Sequence, residues 1–167
     1  MKKLRLLLLV LSFVLLGLLW FLPQRMARLH PGMLVPTHFN LHGQTDAMGK
    51  PQDLLVLAIV GSGLFLLFEL LCRLDLPINT GYLLDEAATG VLRELDRLQL
   101  AVLRVEVLAL LLALAVDCLS SARIVPLHQA VPFLALMVLF ATIFGFQLVR
   151  TRRCRELSGG VRITEKQ

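Results

Sequence analysis

Leu6-Leu7-Leu8-Leu9-Val10-Leu11-Ser12-Phe13-Val14-Leu15-Leu16-Gly17-Leu18-Leu19-Trp20-Phe21-Leu22 contains no charged side chain. Lys2, Lys3 and Arg5 precede this run and Pro23 and Arg25 follow it, so residues 4–22 read as a first membrane span. A basic start before an apolar stretch is also the mark of a secretory signal peptide. The length of the run, Trp20 and Phe21 at its end, and the lack of a small-residue cleavage site in Gln24-Arg25-Met26-Ala27 favour an uncleaved anchor.

Moving outward, residues 54–72 form a second apolar stretch whose single charge is Glu69, opened by Pro51 and Asp53 as helix-start signals. A third, over 98–119, is interrupted by Arg104, Glu106 and Asp117. A fourth is clean to Val149, with Pro126, His128 and Pro132 assigned to its entry and the packed helix to 131–149. Composition agrees with this pattern. The chain is 57% hydrophobic and 17% charged, with a mean hydropathy of +0.76, far more apolar than an ordinary soluble domain. Its 167 residues have room for four spans of about 20 residues each and no large soluble domain besides. The expectation is an all-α polytopic membrane protein: one helical domain over 1–167 with four transmembrane helices and a cytoplasmic amphipathic helix.

Basic residues set the orientation. Lys2, Lys3 and Arg5 stand at one end, and Arg150, Arg152, Arg153, Arg155, Arg162 and Lys166 occupy a tail over 150–167. Both termini are expected on the cytoplasmic side of a bacterial inner membrane, with the loop over 23–53 facing outward. Much of the net charge of +5 lies in the tail, where it serves as a topology signal with attraction to anionic lipid rather than as a nucleic-acid site. Cys72, Cys118 and Cys154 fall at places that do not pair, and no CxxC spacing is present, so three reduced thiols are expected.

Leu84, Ala87, Ala88, Val91, Leu92 and Leu95 recur at helical spacing, with Asp85, Glu86, Arg93, Glu94, Asp96 and Arg97 opposite, so residues 83–97 read as an amphipathic helix that runs on into the third span. Its polar face is net negative, which suits packing under the bundle or on a protein partner better than lying on anionic lipid. Gln99, Glu106 and Asp117 differ by seven and eleven positions and so share one stripe of the third span. Leaving Glu106 in lipid would cost about 3 kcal/mol, which turns it inward, protonated or paired. The stripe is either a structural network or a proton or ion pathway. Arg104, on another face, and Glu69, on the antiparallel second span, lie at similar depth and are expected to form an ion pair.

The outward loop is polar and punctuated by glycine: Pro36-Thr37-His38-Phe39-Asn40-Leu41-His42-Gly43-Gln44-Thr45-Asp46-Ala47-Met48-Gly49-Lys50. His38, Asn40, Asp46 and Lys50 supply a ring nitrogen, an amide, a carboxylate and an ammonium within a short span, and Gly43 and Gly49 permit tight turns. A metal set would draw on His38, His42 and Asp46, but their spacing carries no helical or strand pattern that argues for one. The plainest reading has His38, Asn40 and Asp46 hydrogen-bonding the loop into a cap on the bundle.

In the order Pro36, His38, Asn40, Gly43, Asp46, Gly49 and Lys50 this loop resembles a bacterial family of unknown function whose domain also stands at the start of the SdpI-type immunity membrane proteins. The likeness extends loosely through Pro77, Ile78 and Asn79 and the charged helix after them. It implies a bacterial plasma-membrane protein, some of whose relatives protect against a secreted killing peptide, with the loop as the binding element. The chain departs from the longer immunity proteins in having no further spans, and from the loop pattern in a longer and more basic stretch between Pro23 and Val35. No Ser/His/Asp order, phosphate-cradling glycine loop, HExxH or paired-carboxylate arrangement is present, so a non-enzymatic protein without cofactor is expected. The expected partners are the lipid bilayer, a secreted peptide or envelope component at the outer loop, and a protein at the amphipathic helix. A small ion- or proton-coupled transport bundle using Glu106 and Asp117, and an accessory subunit of a membrane complex, are the alternatives. His128 reads as an interfacial residue, and Ala141 with Gly145 as a small-residue contact.

Overall fold

The computed structural model describes residues 2–40, 45–74, 84–121 and 130–158. They form four helices, α1 (Lys2–Leu29), α2 (Leu55–Arg73), α3 (Glu86–Ser121) and α4 (Ala130–Leu157), with an antiparallel hairpin of β1 (Val35–Phe39) and β2 (Thr45–Gly49) between α1 and α2. A short 3-10 turn, Pro51–Leu54, leads from β2 into α2. The chain is thus mostly helical, as expected, with a small sheet in addition.

α3 is the spine, and it packs against all three other helices. Arg104 of α3 meets the first half of α1 and the last turns of α2, while Cys118 and Leu119 of α3 meet the end of α1 and the 3-10 turn. Arg150 of α4 reaches Asp96 of α3 at 3.1 Å. The helices therefore alternate in direction, α1 and α3 running toward the hairpin and α2 and α4 away from it. Between α1, α2 and α3 lies a core of Leu19, Ala58, Phe65, Leu108 and Ala115. Gly61 allows this close approach: a Cβ there would lie 3.2 Å from Leu19 Cδ1 and 3.3 Å from Leu108 Cδ2. Trp20 of α1 adds an indole hydrogen bond to Ser62 Oγ of α2 at 3.2 Å.

Elsewhere many large apolar side chains point away from the protein. Leu6, Leu7 and Val10 of α1, Leu66 and Leu70 of α2, and Leu134, Phe140 and Phe144 of α4 are all exposed. A water-facing surface of that kind would be unfavourable by about 25 cal/mol per Å², so it suits a lipid surround. Among the described residues three helical segments are long and apolar enough to cross a membrane: Lys2–Leu29, Pro51–Arg73 and Leu134–Leu157. α3 is not among them. Ala141 and Gly145 lie on the open side of α4, and among the described residues a Cβ at Gly145 would meet nothing within 4 Å.

Several boundaries differ from the sequence-based expectations. The first helix does not stop before Pro23 but carries it inside and runs to Leu29. Pro23 forfeits one backbone hydrogen bond, yet Leu22 and Met26, one helical turn apart, pack with Met33 against Val35, Leu54, Cys118 and Leu119, and this contact holds the helix on its course. After the helix the chain turns, the Met33 N–H donating to His30 O at 3.1 Å, with Gly32 at φ +87, a conformation that L side chains rarely adopt. The expected loop over 23–53 is therefore a helix end, a hairpin and a 3-10 turn. The amphipathic helix and third span form one helix of 36 residues that starts at Glu86, not at 83. Asp85 caps it, its Oδ1 accepting the Ala88 N–H at 2.7 Å. Likewise the fourth helix continues to Leu157, so residues 150–157 of the expected tail are helical. Pro77, Ile78, Asn79 and His128 lie outside the described residues.

Candidate functional site

The hairpin gives the outer loop two faces. Val35 and Pro36 at the start of β1 are buried, Val35 against Leu54, Cys118 and Leu119. Because alternate residues of a strand point to opposite sides and the register slips between Pro36 and His38, His38 emerges on the open side. There its Nδ1 lies 2.5 Å from Asp46 Oδ1 of the facing strand. Both side chains stay open, 68% exposed for His38 and 44% for Asp46. A carboxylate accepting from Nδ1–H fixes the ring and leaves its other nitrogen turned outward.

At the foot of β2 the backbone closes tightly. The Lys50 N–H donates to Asp53 Oδ2 at 2.7 Å, and the Asp53 N–H returns to Lys50 O at 2.9 Å. Gly49 is needed for this: a Cβ there would collide with the Asp53 carboxylate and sit 2.8 Å from Thr37 Cγ2. Of the loop residues singled out from the sequence, His38 and Asp46 are thus brought together as a pair. Gly49 and Lys50 shape the exit turn, Pro36 is a packing residue, and Asn40 sits just beyond β1. Gly43 and His42 lie outside the described residues. Among the described residues no group of three or more His, Cys, Asp or Glu is placed to hold a metal ion.

At the opposite end of the bundle the expected ion pair is present. Arg104 Nη1 lies 2.6 Å from Glu69 Oε2, and the arginine side chain is only 3% exposed. Sequence reasoning missed its other neighbours. Arg104 Nε donates to Ser12 Oγ at 3.0 Å, and Ser12 Oγ in turn donates to Leu8 O at 2.7 Å, so an arginine on α3 is tied to both α1 and α2. Its guanidinium also sits 5.2 Å from the centre of the Phe65 ring, which packs at 4.8 Å on Phe13. Arg73 Nη2 meets the second oxygen of Glu69 at 2.9 Å, one helical turn along α2. The lone serine in an otherwise apolar run was the available signal, since a hydroxyl inside such a helix needs a partner.

Glu106 and Asp117 are not brought together, because eleven positions on one helix separate them by about 16 Å. Glu106 Oε2 is buried without a hydrogen-bond partner among the described residues. On the polar part of α3, burial pushes the Asp96 carboxyl above its usual range, and Arg150 beside it offsets part of that rise. Cys72, Cys118 and Cys154 are all free thiols. Comparison of the chain with family models, with curated proteins and with solved structures gives no match.

Proposed function

We propose that the chain is a non-enzymatic bacterial integral membrane protein with four spans and both termini on the cytoplasmic side, whose hairpin faces outward and recognises a peptide or another envelope component. The observation that carries this reading is the His38–Asp46 pair, which is fixed in orientation yet left open to solvent on a hairpin anchored by Val35 and Pro36. A fixed ring nitrogen beside a carboxylate offers a donor and acceptor set to a peptide backbone or an amine. The resemblance of the loop to the family of the SdpI-type immunity proteins points the same way. For α3 as a fourth span, support comes from its three helical neighbours and from Arg104, whose charge is met by Glu69 and Ser12 inside the bundle. The excess of Lys and Arg at the start of α1 and the end of α4 supports the orientation.

The test is survival and membrane integrity of cells with and without the protein, challenged with toxic peptides secreted by their own relatives. Protection that is lost in His38→Ala and Asp46→Ala at unchanged protein level is the expected outcome. Equal survival of all strains would overturn recognition at the hairpin. A second reading, ion or proton coupling, is favoured by the Oε2 of Glu106, which is buried and without a hydrogen-bond partner among the described residues. It gains if Glu106→Gln alone abolishes function.

A further inference from the structure

Between the first turns of α1, the last turns of α2 and the middle of α3 lies a cavity of about 300 Å³. Its charged lining is Lys2, Arg5, Arg73, Arg104 and Glu69. Both oxygens of Glu69 are already engaged, Oε1 by Arg73 and Oε2 by Arg104. Among the described residues Arg5 meets one carboxylate, that of Glu94 at 3.6 Å, and Glu94 is shared with Arg97 at 3.2 Å. Four cations therefore line the cavity with one carboxylate, Glu69, which is held by arginines at the walls, while Glu94 reaches Arg5 from outside the lining. What remains among the described residues is an excess of positive charge around an open space. The first turn of α1, with the positive end of its helix dipole, lies at the same end.

We propose that this cavity binds a phosphate-bearing anion. An arginine fork and a lysine ammonium are the side chains that recognise phosphoryl oxygens, and a pocket of basic residues between membrane helices is where a lipid head group docks. Leu6 and Leu9 also line the cavity, and Leu6 with Leu7 continues outward as exposed apolar surface. That continuity suits an anion carrying acyl chains, so the head group of an anionic phospholipid is the favoured source and free phosphate the other. The site depends on the proposed topology only for the leaflet it faces. Its test in detergent is independent both of that topology and of what the hairpin recognises.

The experiment uses the full chain purified in neutral detergent, with binding of phosphatidylglycerol and of phosphatidylcholine followed by native mass spectrometry, with and without inorganic phosphate as competitor. Removing one pocket cation is expected to weaken phosphatidylglycerol binding about fivefold. Arg5→Gln with Arg73→Gln should then abolish the preference over phosphatidylcholine, whereas Arg152→Gln with Arg155→Gln, an equal loss of charge outside the pocket, should keep it. Arg5→Lys with Arg73→Lys should retain most of the preference, which separates lost charge from lost packing. Both double glutamine variants leave Arg104 and Glu69 in place, and a thermal midpoint without lipid checks that the bundle is intact. Displacement of the lipid by inorganic phosphate would identify free phosphate as the source of the same chemistry. No preference for phosphatidylglycerol in the wild type, or an equal loss in the pocket and tail variants, would overturn the proposal.

Discussion

Arg104 carries a full charge in a nearly closed site, and its neighbours determine how it is tolerated. Glu69 supplies the countercharge, Ser12 an acceptor and Phe65 a π face, each from a different direction. Removing Glu69 would leave the arginine charge buried without its countercharge, so Glu69→Gln is expected to destabilise the protein by about 3 to 5 kcal/mol, read as a thermal midpoint in detergent. Glu69→Arg combined with Arg104→Glu should recover part of the expression that either single change loses. If no recovery occurs, the pair is not the element that joins these helices. His38 is different. Its pair with Asp46 is largely exposed, and exposed pairs contribute only about 0 to 1 kcal/mol. His38→Ala should therefore leave the midpoint nearly unchanged, and a fall of several degrees would mean that His38 holds the cap together. The Glu69–Arg104 pair was legible in the sequence because two lone charges at equal depth on antiparallel helices have few alternatives. Ser12 as the third member was not, since the facing of α1 toward α3 is set by packing.

Among the elements, α3 carries the heaviest demands, because it touches every other helix while holding most of the buried charge. The meeting of α1, α2 and α3 depends on Gly61, where Leu19 and Leu108 close to within van der Waals distance. Gly61→Leu should overpack this point and destabilise the bundle by about 1 to 3 kcal/mol, whereas the same change at Gly63, where a Cβ meets nothing within 4 Å, should be tolerated. At the polar end of α3, burial raises the Asp96 carboxyl. An acid whose value is raised on folding contributes stability below its unfolded value of about 4, and that contribution is lost as pH rises through the folded one. Melts of wild type and Asp96→Asn at a series of pH values should thus show the wild type losing ground to the variant as pH rises from about 4. A wild type that gains instead would mean that Arg150 outweighs burial. The hairpin was hidden from sequence reading for a plain reason. Its strands are short, one holds a proline and the register is bulged, so no clean alternation marks them. Pro23 misled in the opposite sense, because a proline weakens a helix locally but does not end one that is held on both sides by packing.

For the whole molecule, much apolar side-chain surface lies on the outside, and the ion pairs of Arg104 with Glu69 and of Arg150 with Asp96 lie at the end away from the hairpin. With the proposed orientation, a membrane-impermeant thiol reagent should label a cysteine placed at Ala47 in intact cells and should reach one placed at Arg152 only after the cells are opened, in a background without the native cysteines. Labelling of both from one side would rule out an arrangement in which the hairpin and the end of α4 are separated by the bilayer.

The sequence by itself determined the helical class, the positions of the long apolar helices, the continuity of the charged helix with the run after it, and the partner of Arg104. Hydropathy and helical periodicity are local properties, written in windows shorter than one span. Only the tertiary structure decided that α1 passes through Pro23, that His38 and Asp46 meet on an exposed face, that Ser12 joins the arginine, and that four cations from three helices surround one cavity. Those features depend on which faces of distant segments pack together, and a linear pattern leaves that open until the close contact at Gly61 and the cluster around Val35 bring the segments into register.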